Sequence, residues 1–178
     1  MNTANKLTML RVAIIPFFMI VLYLDIPFGY GNLLALVLFI FASITDLVDG
    51  QIARRRNQVT DFGKFMDPLA DKVLTIAAMC FFVDWGIMSG WALLVVITRE
   101  FAVTSLRLVA VETGRVIAAG WAGKVKTASS MVCICVMLSG WFPALDGLCV
   151  AVIVLTTLYS GVEYFWKNAD VIRALNMK

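Results

Sequence analysis

DLVDGQIARRRNQVTDFGKFMDPLAD, residues 46–71, is the most charged stretch of a chain that is otherwise apolar. It holds five aspartates, and four of them form two pairs: Asp46 with Asp49, and Asp67 with Asp71. On a helix turning about 100° per residue, positions three, four and seven apart share a face. Asp46, Asp49, Gly50 and Ala53 therefore fall on one narrow stripe, and Asp71 lies one turn beyond Asp67. A short polar turn joins the two segments and makes them antiparallel neighbours, so that four carboxylates can converge.

The rest of the chain is built for a bilayer. Of its 178 residues 61% are hydrophobic and 15% charged, with a mean hydropathy of +0.89. Soluble domains average about 45–50% apolar and about 25% charged residues. The expected fold is an all-α integral membrane protein: a single membrane domain over 1–178 with six transmembrane helices, roughly 9–24, 33–55, 67–83, 91–111, 122–141 and 147–166. Each approaches the ~20 residues a crossing needs. The interruptions DIPFGYGN, RRRNQVTDFGK, DWGIMSG, VETGRVIAAG and FPALDG are rich in Gly, Pro or charge. NTANKLTMLR reads as a short cytoplasmic or interfacial lead-in, and not as a cleavable signal. A five-span count follows if the first segment, with Arg11 and Pro16, lies in the interface instead.

Charge distribution favours six. One side then carries Lys6, Arg11, Arg54, Arg55, Arg56, Lys64, Arg115, Lys124, Lys126, Lys167, Arg173 and Lys178. The opposite loops, 25–32, 84–90 and 142–146, carry Asp25, Asp84 and Asp146 and no Lys or Arg. Positive charge stays in the cytoplasm, which places both termini and the aspartate stretch there. The net charge of +3 is then a topological signal facing anionic membrane lipids and implies no nucleic-acid partner. Cys80, Cys133, Cys135 and Cys149 lie in spans and read as small buried apolar residues, with no disulfide framework or zinc pattern. Histidine is absent, so any base is carboxylate, lysine, tyrosine or cysteine.

Singly, each of the four aspartates could cap a helix (Asp67 with Pro68 behind it) or pair with Arg54–Arg56. Together they repel, and burying each ionised at membrane depth costs several kcal/mol. Divalent cations are the usual remedy, and all-oxygen ligands suit Mg²⁺ or Mn²⁺. Two such ions, about 3.5–4 Å apart, could clamp a phosphate between attacking and leaving oxygens. Gly50 and Ala53 leave room on the stripe, and Arg54, one turn beyond Gly50, can donate to a phosphate in bidentate fashion.

The pattern Asp46-x2-Asp49-Gly50-x2-Ala53-Arg54-x8-Gly63-x3-Asp67-x3-Asp71 resembles the signature of the CDP-alcohol phosphotransferase family, with every position filled. Members displace CMP from a CDP-linked lipid or CDP-alcohol with an alcohol. The resemblance implies that Asp46, Asp49, Asp67 and Asp71 hold two divalent cations and that Asp71 is also the general base. It implies that Gly50, Ala53, Arg54, Thr60 and Gly63 form the CDP site, with Asn5 and Thr8 of the lead-in. It also implies a homodimer in the bacterial cytoplasmic membrane, with the active site on the cytoplasmic side.

TREFAVTSLRLVAVETGRVIAAGWAGKVKT, residues 98–127, concerns the acceptor. Arg99 lies well inside the fourth span, where a charge points to function. Glu100, Thr104 and Arg107 share a stripe beside it, and Lys124 and Lys126 begin the fifth span. A structural Arg–Glu pair with topogenic lysines would account for this pattern. So would a basic pocket for an acceptor that already carries a phosphate. The TREFAVTSLR, GKVKT, NKLTMLR and SGVEYFWK segments resemble one branch of the family, the bacterial phosphatidylglycerophosphate synthases. That likeness implies CDP-diacylglycerol and sn-glycerol 3-phosphate as substrates, with Arg99, Arg107 and Lys124 on the acceptor phosphate. Arg115 and Lys126 could serve equally as cytoplasmic anchors.

Within the family the alternatives are a phosphatidylinositol-phosphate synthase and a cardiolipin synthase. A prenyltransferase would show two separate acid-rich motifs, and here there is one. A divalent-cation transporter would often show internal repeats or broken helices, and neither is visible.

Overall fold

The computed structural model describes residues 3–24, 30–55, 61–112, 117 and 120–170; within these, the side chains of 3–8, 11, 30, 46–55, 61–69, 71 and 112 lie outside the description. The described residues form six α-helices and no strand: α1 Thr3–Tyr23, α2 Tyr30–Arg55, α3 Asp61–Asp84, α4 Gly90–Glu112, α5 Trp121–Ser139 and α6 Asp146–Lys167, with one 3₁₀ turn at Pro143–Leu145. Each expected span has a helix over it.

Two boundaries differ from expectation. The lead-in is not a separate segment: α1 is helical from Thr3 and runs unbroken into the apolar residues, with Pro16 inside it. Asp67 does not cap α3, because that helix already begins at Asp61. Pro68 therefore sits inside the helix, where it removes one backbone donor. The one-turn spacing of Asp67 and Asp71 survives, since both are helical.

Glycine ends two of the turns. Gly140 closes α5 in the left-handed region, φ 64°, and its N–H donates to the Met137 carbonyl at 3.3 Å. Gly86, φ 73°, turns the chain after α3 and donates to Val83 at 3.1 Å.

Cross-helix contacts give the directions. Ser129 Oγ of α5 lies 3.4 Å from Thr156 Oγ1 of α6, and α5 and α6 pack as antiparallel neighbours. Arg99 and Arg107 of α4 meet Ser160 and Tyr164 of α6, so α4 and α6 run parallel. α1 packs on α2 and α3. The main core holds Phe18, Phe39, Leu74, Met79, Phe82, Ile134, Leu138 and Ile153. Small residues on α2 and α3 (Ala35, Ala42, Ala70, Ala77, Ala78) are also buried there and let backbones approach, as membrane helices require. A second, smaller cluster, Val103, Leu106, Ala110 and Tyr164, lies between the C-terminal halves of α4 and α6.

Among the described residues, many large apolar side chains are on the outside. Phe17, Ile20, Val37, Phe41, Phe101, Leu108, Leu155 and Val162 all face outward, a surface that suits lipid rather than water. α5 and the segment Pro143–Lys167 are long and apolar enough to cross a membrane, and Val12–Tyr23 and Gly31–Thr45 are shorter apolar stretches. Trp91, Trp121, Trp141 and Trp166, at helix ends, are exposed, as interfacial aromatics are. The four cysteines are free; Cys133 and Cys149 are buried, but Cys80 is exposed on α3. Helical hydroxyls turn inward onto their own helix: Thr45 donates to Phe41 O and Thr156 to Val152 O, both at 2.7 Å.

Candidate active site

Between the two apolar clusters lies a polar layer. It crosses four helices at one level: Lys72 on α3, Arg99, Glu100 and Thr104 on α4, Lys126 and Ser130 on α5, and Thr157 and Ser160 on α6. Helices α4 and α6 change character here. Leu74, Val96, Ile134 and Ile153 belong to the main core, whereas Val103, Leu106 and Tyr164 belong to the smaller one.

Glu100 is the hub. Its Oε1 accepts from Lys126 Nζ at 2.7 Å and from Arg99 Nη1 at 3.1 Å. Its Oε2 lies 3.7 Å from Lys72 Nζ. Lys72 also donates to Thr104 Oγ1, which donates in turn to the Glu100 carbonyl at 2.7 Å. Arg99 reaches α6 through Nη2, which donates to Ser160 Oγ. Glycines make room for that reach. A Cβ at Gly123 would lie 3.8 Å from Arg99 Nη2, and one at Gly161 would lie 3.2 Å from Arg99 Cγ.

The layer has hydrogen-bonding capacity to spare. Among the described residues, Arg99 Nε, Ser130 Oγ and Thr157 Oγ1 are buried and have no hydrogen-bond partner. Buried polar groups are normally satisfied, and exceptions call for a reason. Among the described side chains the charges do not balance either: three bases meet one acid in Lys72, Arg99, Lys126 and Glu100. An anion would answer both excesses.

The expected acceptor residues differ in burial. Arg99 is in the layer. Arg107 is exposed, with its guanidinium 5.5 Å above the Tyr164 ring and Nε donating to Tyr164 OH at 3.2 Å. Lys124 is exposed on α5, whereas Lys126 is buried.

The aspartate stretch belongs to α2 and α3, which are in contact. Asp46, Asp49, Gly50, Ala53 and Arg54 are helical positions of α2, and Gly63, Asp67 and Asp71 of α3. Asn5 and Thr8 are helical positions of α1. The side chains of all these residues lie outside the described set, and Thr60 and Arg115 lie outside it altogether. Among the described residues no group of three His, Cys, Asp or Glu could hold a metal ion. Asp71 is followed directly on α3 by Lys72, so one helix carries both an aspartate pair and a base of the polar layer.

The sequence model described as CDP-alcohol phosphatidyltransferase matches residues 1–160. The chain belongs to that family. Among its relatives, a protein of Bacillus subtilis (strain 168) named CDP-diacylglycerol--glycerol-3-phosphate 3-phosphatidyltransferase is 42% identical over 194 residues, covering 98% of this chain and 99% of that protein. One of the same name from Pectobacterium atrosepticum is 36% identical, covering 97% and 94%. Another, from Salmonella paratyphi A, is 42% identical over 80% of this chain and 78% of its own. The apolar surface and membership of a phospholipid-synthesising family together make this CDP-alcohol phosphatidyltransferase a membrane protein.

Sequence reasoning singled out Arg99 and noted Glu100 and Thr104, but it passed over Lys72 and left Lys126 as an anchor. Both lysines lie within expected spans, and a charge inside a span was itself the signal. Ser160 carried no signal beyond its small size.

Proposed function

We propose that this chain transfers the phosphatidyl group of CDP-diacylglycerol to sn-glycerol 3-phosphate, giving phosphatidylglycerophosphate and CMP. The observation that supports it best is the surplus of positive charge among the described side chains of the half-buried polar layer, one residue along α3 from Asp71. An acceptor that brings its own phosphate offsets that surplus; serine or choline would not.

Asp46, Asp49, Asp67 and Asp71 fit two divalent cations: the donor set is all oxygen, as Mg²⁺ or Mn²⁺ prefers, and helical spacing pairs the donors on α2 and α3. When bound, such ions neutralise the pyrophosphate and stabilise the departing CMP. Gly50, Ala53 and Gly63 leave space for the nucleotide, with Asn5, Thr8, Arg54 and Thr60 as polar contacts. Lys72, Arg99 and Lys126 hold the acceptor phosphate, with Arg107 and Lys124 at its approach. Asp71 takes the proton of the acceptor hydroxyl. The hydroxyl oxygen forms a bond to the phosphatidyl phosphorus, and the bond from that phosphorus to the CMP oxygen breaks.

The chain acts as one domain over 1–178, crosses the membrane six times with both termini and the site in the cytoplasm, and works as a homodimer. Acyl chains stay in the bilayer while the headgroup bends into the site.

The test is CMP release by purified protein in detergent micelles with CDP-diacylglycerol and Mg²⁺. Release that requires glycerol 3-phosphate, and that stops with chelator, is the expected result. Release with inositol phosphate instead would replace the acceptor and keep the family chemistry.

A further inference from the structure

The polar layer holds three bases from three helices, α3, α4 and α5, and among the described residues Glu100 is the group that meets all of them. Three like charges do not gather unaided. Lys72 and Arg99 each have a second anchor, Thr104 and Ser160, but among the described residues the contacts that draw the bases together run through one carboxylate. Both of its oxygens are used, Oε1 for Arg99 and Lys126 and Oε2 for Lys72.

Glu100 also sets the charge that is left. Among the described side chains in mutual contact, three bases less one acid leave two positive charges on these four groups. A phosphate monoester near neutral pH carries about −1.5 to −2; a phosphodiester carries one negative charge. Arg99 keeps Nε unpartnered for a further acceptor oxygen.

We propose that Glu100 is a positioning residue that gathers Lys72, Arg99 and Lys126 and trims their charge to match a phosphomonoester dianion. Acceptors bearing a terminal phosphate are thereby preferred over those whose phosphate is a diester, such as a second lipid. The inference rests on the acceptor reading above, but it adds a residue that touches the bases instead of the substrate.

The experiment compares wild type, E100Q and E100D as full-length protein in detergent micelles. The measured quantities are the KM for glycerol 3-phosphate, the KM for CDP-diacylglycerol, and kcat. E100Q is expected to raise the acceptor KM by about ten-fold or more, with a smaller fall in kcat and an unchanged KM for CDP-diacylglycerol. E100D keeps the charge and recovers most of the loss. A second arm needs no turnover: inorganic phosphate should protect wild type against thermal unfolding, dimethyl phosphate should not, and E100Q should lose the protection. An acceptor KM that is unchanged or lower in E100Q overturns the proposal. So does a parallel rise in both KM values with no rescue by E100D, which would mark Glu100 as structural only. If wild type releases no CMP with any acceptor, the synthase reading falls, and the phosphate arm still decides for or against Glu100.

Discussion

Gly161 of α6 lies against the stem of Arg99 of α4: a Cβ at position 161 would stand 3.2 Å from Arg99 Cγ. That is tighter than ordinary contact, so Gly161→Ala should push the guanidinium a few tenths of an ångström from its place. Alanine in a helix is otherwise favourable by about 1 kcal/mol over glycine. G161A should therefore keep its unfolding temperature while its acceptor KM rises about three- to ten-fold. Gly147, on the same helix with nothing within 4 Å of its would-be Cβ, is the control, and G147A should leave KM alone. Equal KM values in the two variants would sink the prediction.

Lys126 and Lys124 are two residues apart but differ in burial. The side chains of Lys126 and Glu100 are 9% and 14% exposed. Breaking a buried pair from one side costs about 3–5 kcal/mol, so K126M should lower the unfolding midpoint in micelles and weaken acceptor use strongly. K124M should leave the midpoint in place and raise the acceptor KM by less. The opposite ranking would shift the phosphate contact from the buried lysine to the exposed one.

Asp71 is assigned the proton of the acceptor hydroxyl. D71N should reduce kcat by about 10²–10⁴-fold while the protein still binds CDP-diacylglycerol, as read by equilibrium binding. In D46N, D49N and D67N more Mg²⁺ should be needed for half-maximal rate. Turnover by D71N near the wild-type rate would remove the base from the mechanism.

Tyr164 supports Arg107 in two ways, and they can be separated. Y164F keeps the ring beneath the guanidinium and loses the 3.2 Å hydrogen bond, at a cost of about 0.5–1.5 kcal/mol. Y164L loses the cation–π contact as well, worth about a further 0.5–1 kcal/mol. Thermal unfolding should rank wild type above Y164F and Y164F above Y164L.

Sidedness can be read by labelling. In a cysteine-free background, S89C and A144C should react from outside intact cells with a membrane-impermeant thiol reagent. Q58C should react only after the cells are opened. Labelling of Q58C in intact cells would invert the topology.

Much of the fold was legible because membrane helices announce themselves by length and hydropathy. Each helix lies over an expected span, and the start of α3 moved from Asp67 to Asp61 because a proline about two turns inside a helix looks much like a proline at its start. The helical placing of the aspartate positions was legible from their spacing, while their side chains lie outside the described residues. The polar layer was harder to read. Lys72 draws its meaning from Glu100 and Thr104 on another helix, and no local pattern carries a contact between helices. Lys124 and Lys126 differ by one step of about 200° around α5, and only packing says which of them is inside. Cys80 was expected inside and faces outward, for the same reason.

On the far side of the polar layer the helices carry no carboxylate, ammonium or guanidinium group: residues 73–83, 91–98, 127–139 and 147–158 contain no Asp, Glu, Lys or Arg. That plug is an electrical insulator. A charge carried across the full membrane voltage gains or loses about 2.3 kcal/mol per 100 mV, and nearly all of the drop must fall across the dry part of the bundle. In the proposed reaction the proton, the phosphates and the bases all stay on one side of it. Collapsing the membrane potential should therefore leave the rate unchanged, so that the synthesis of new lipid goes on in a cell whose membrane has been discharged.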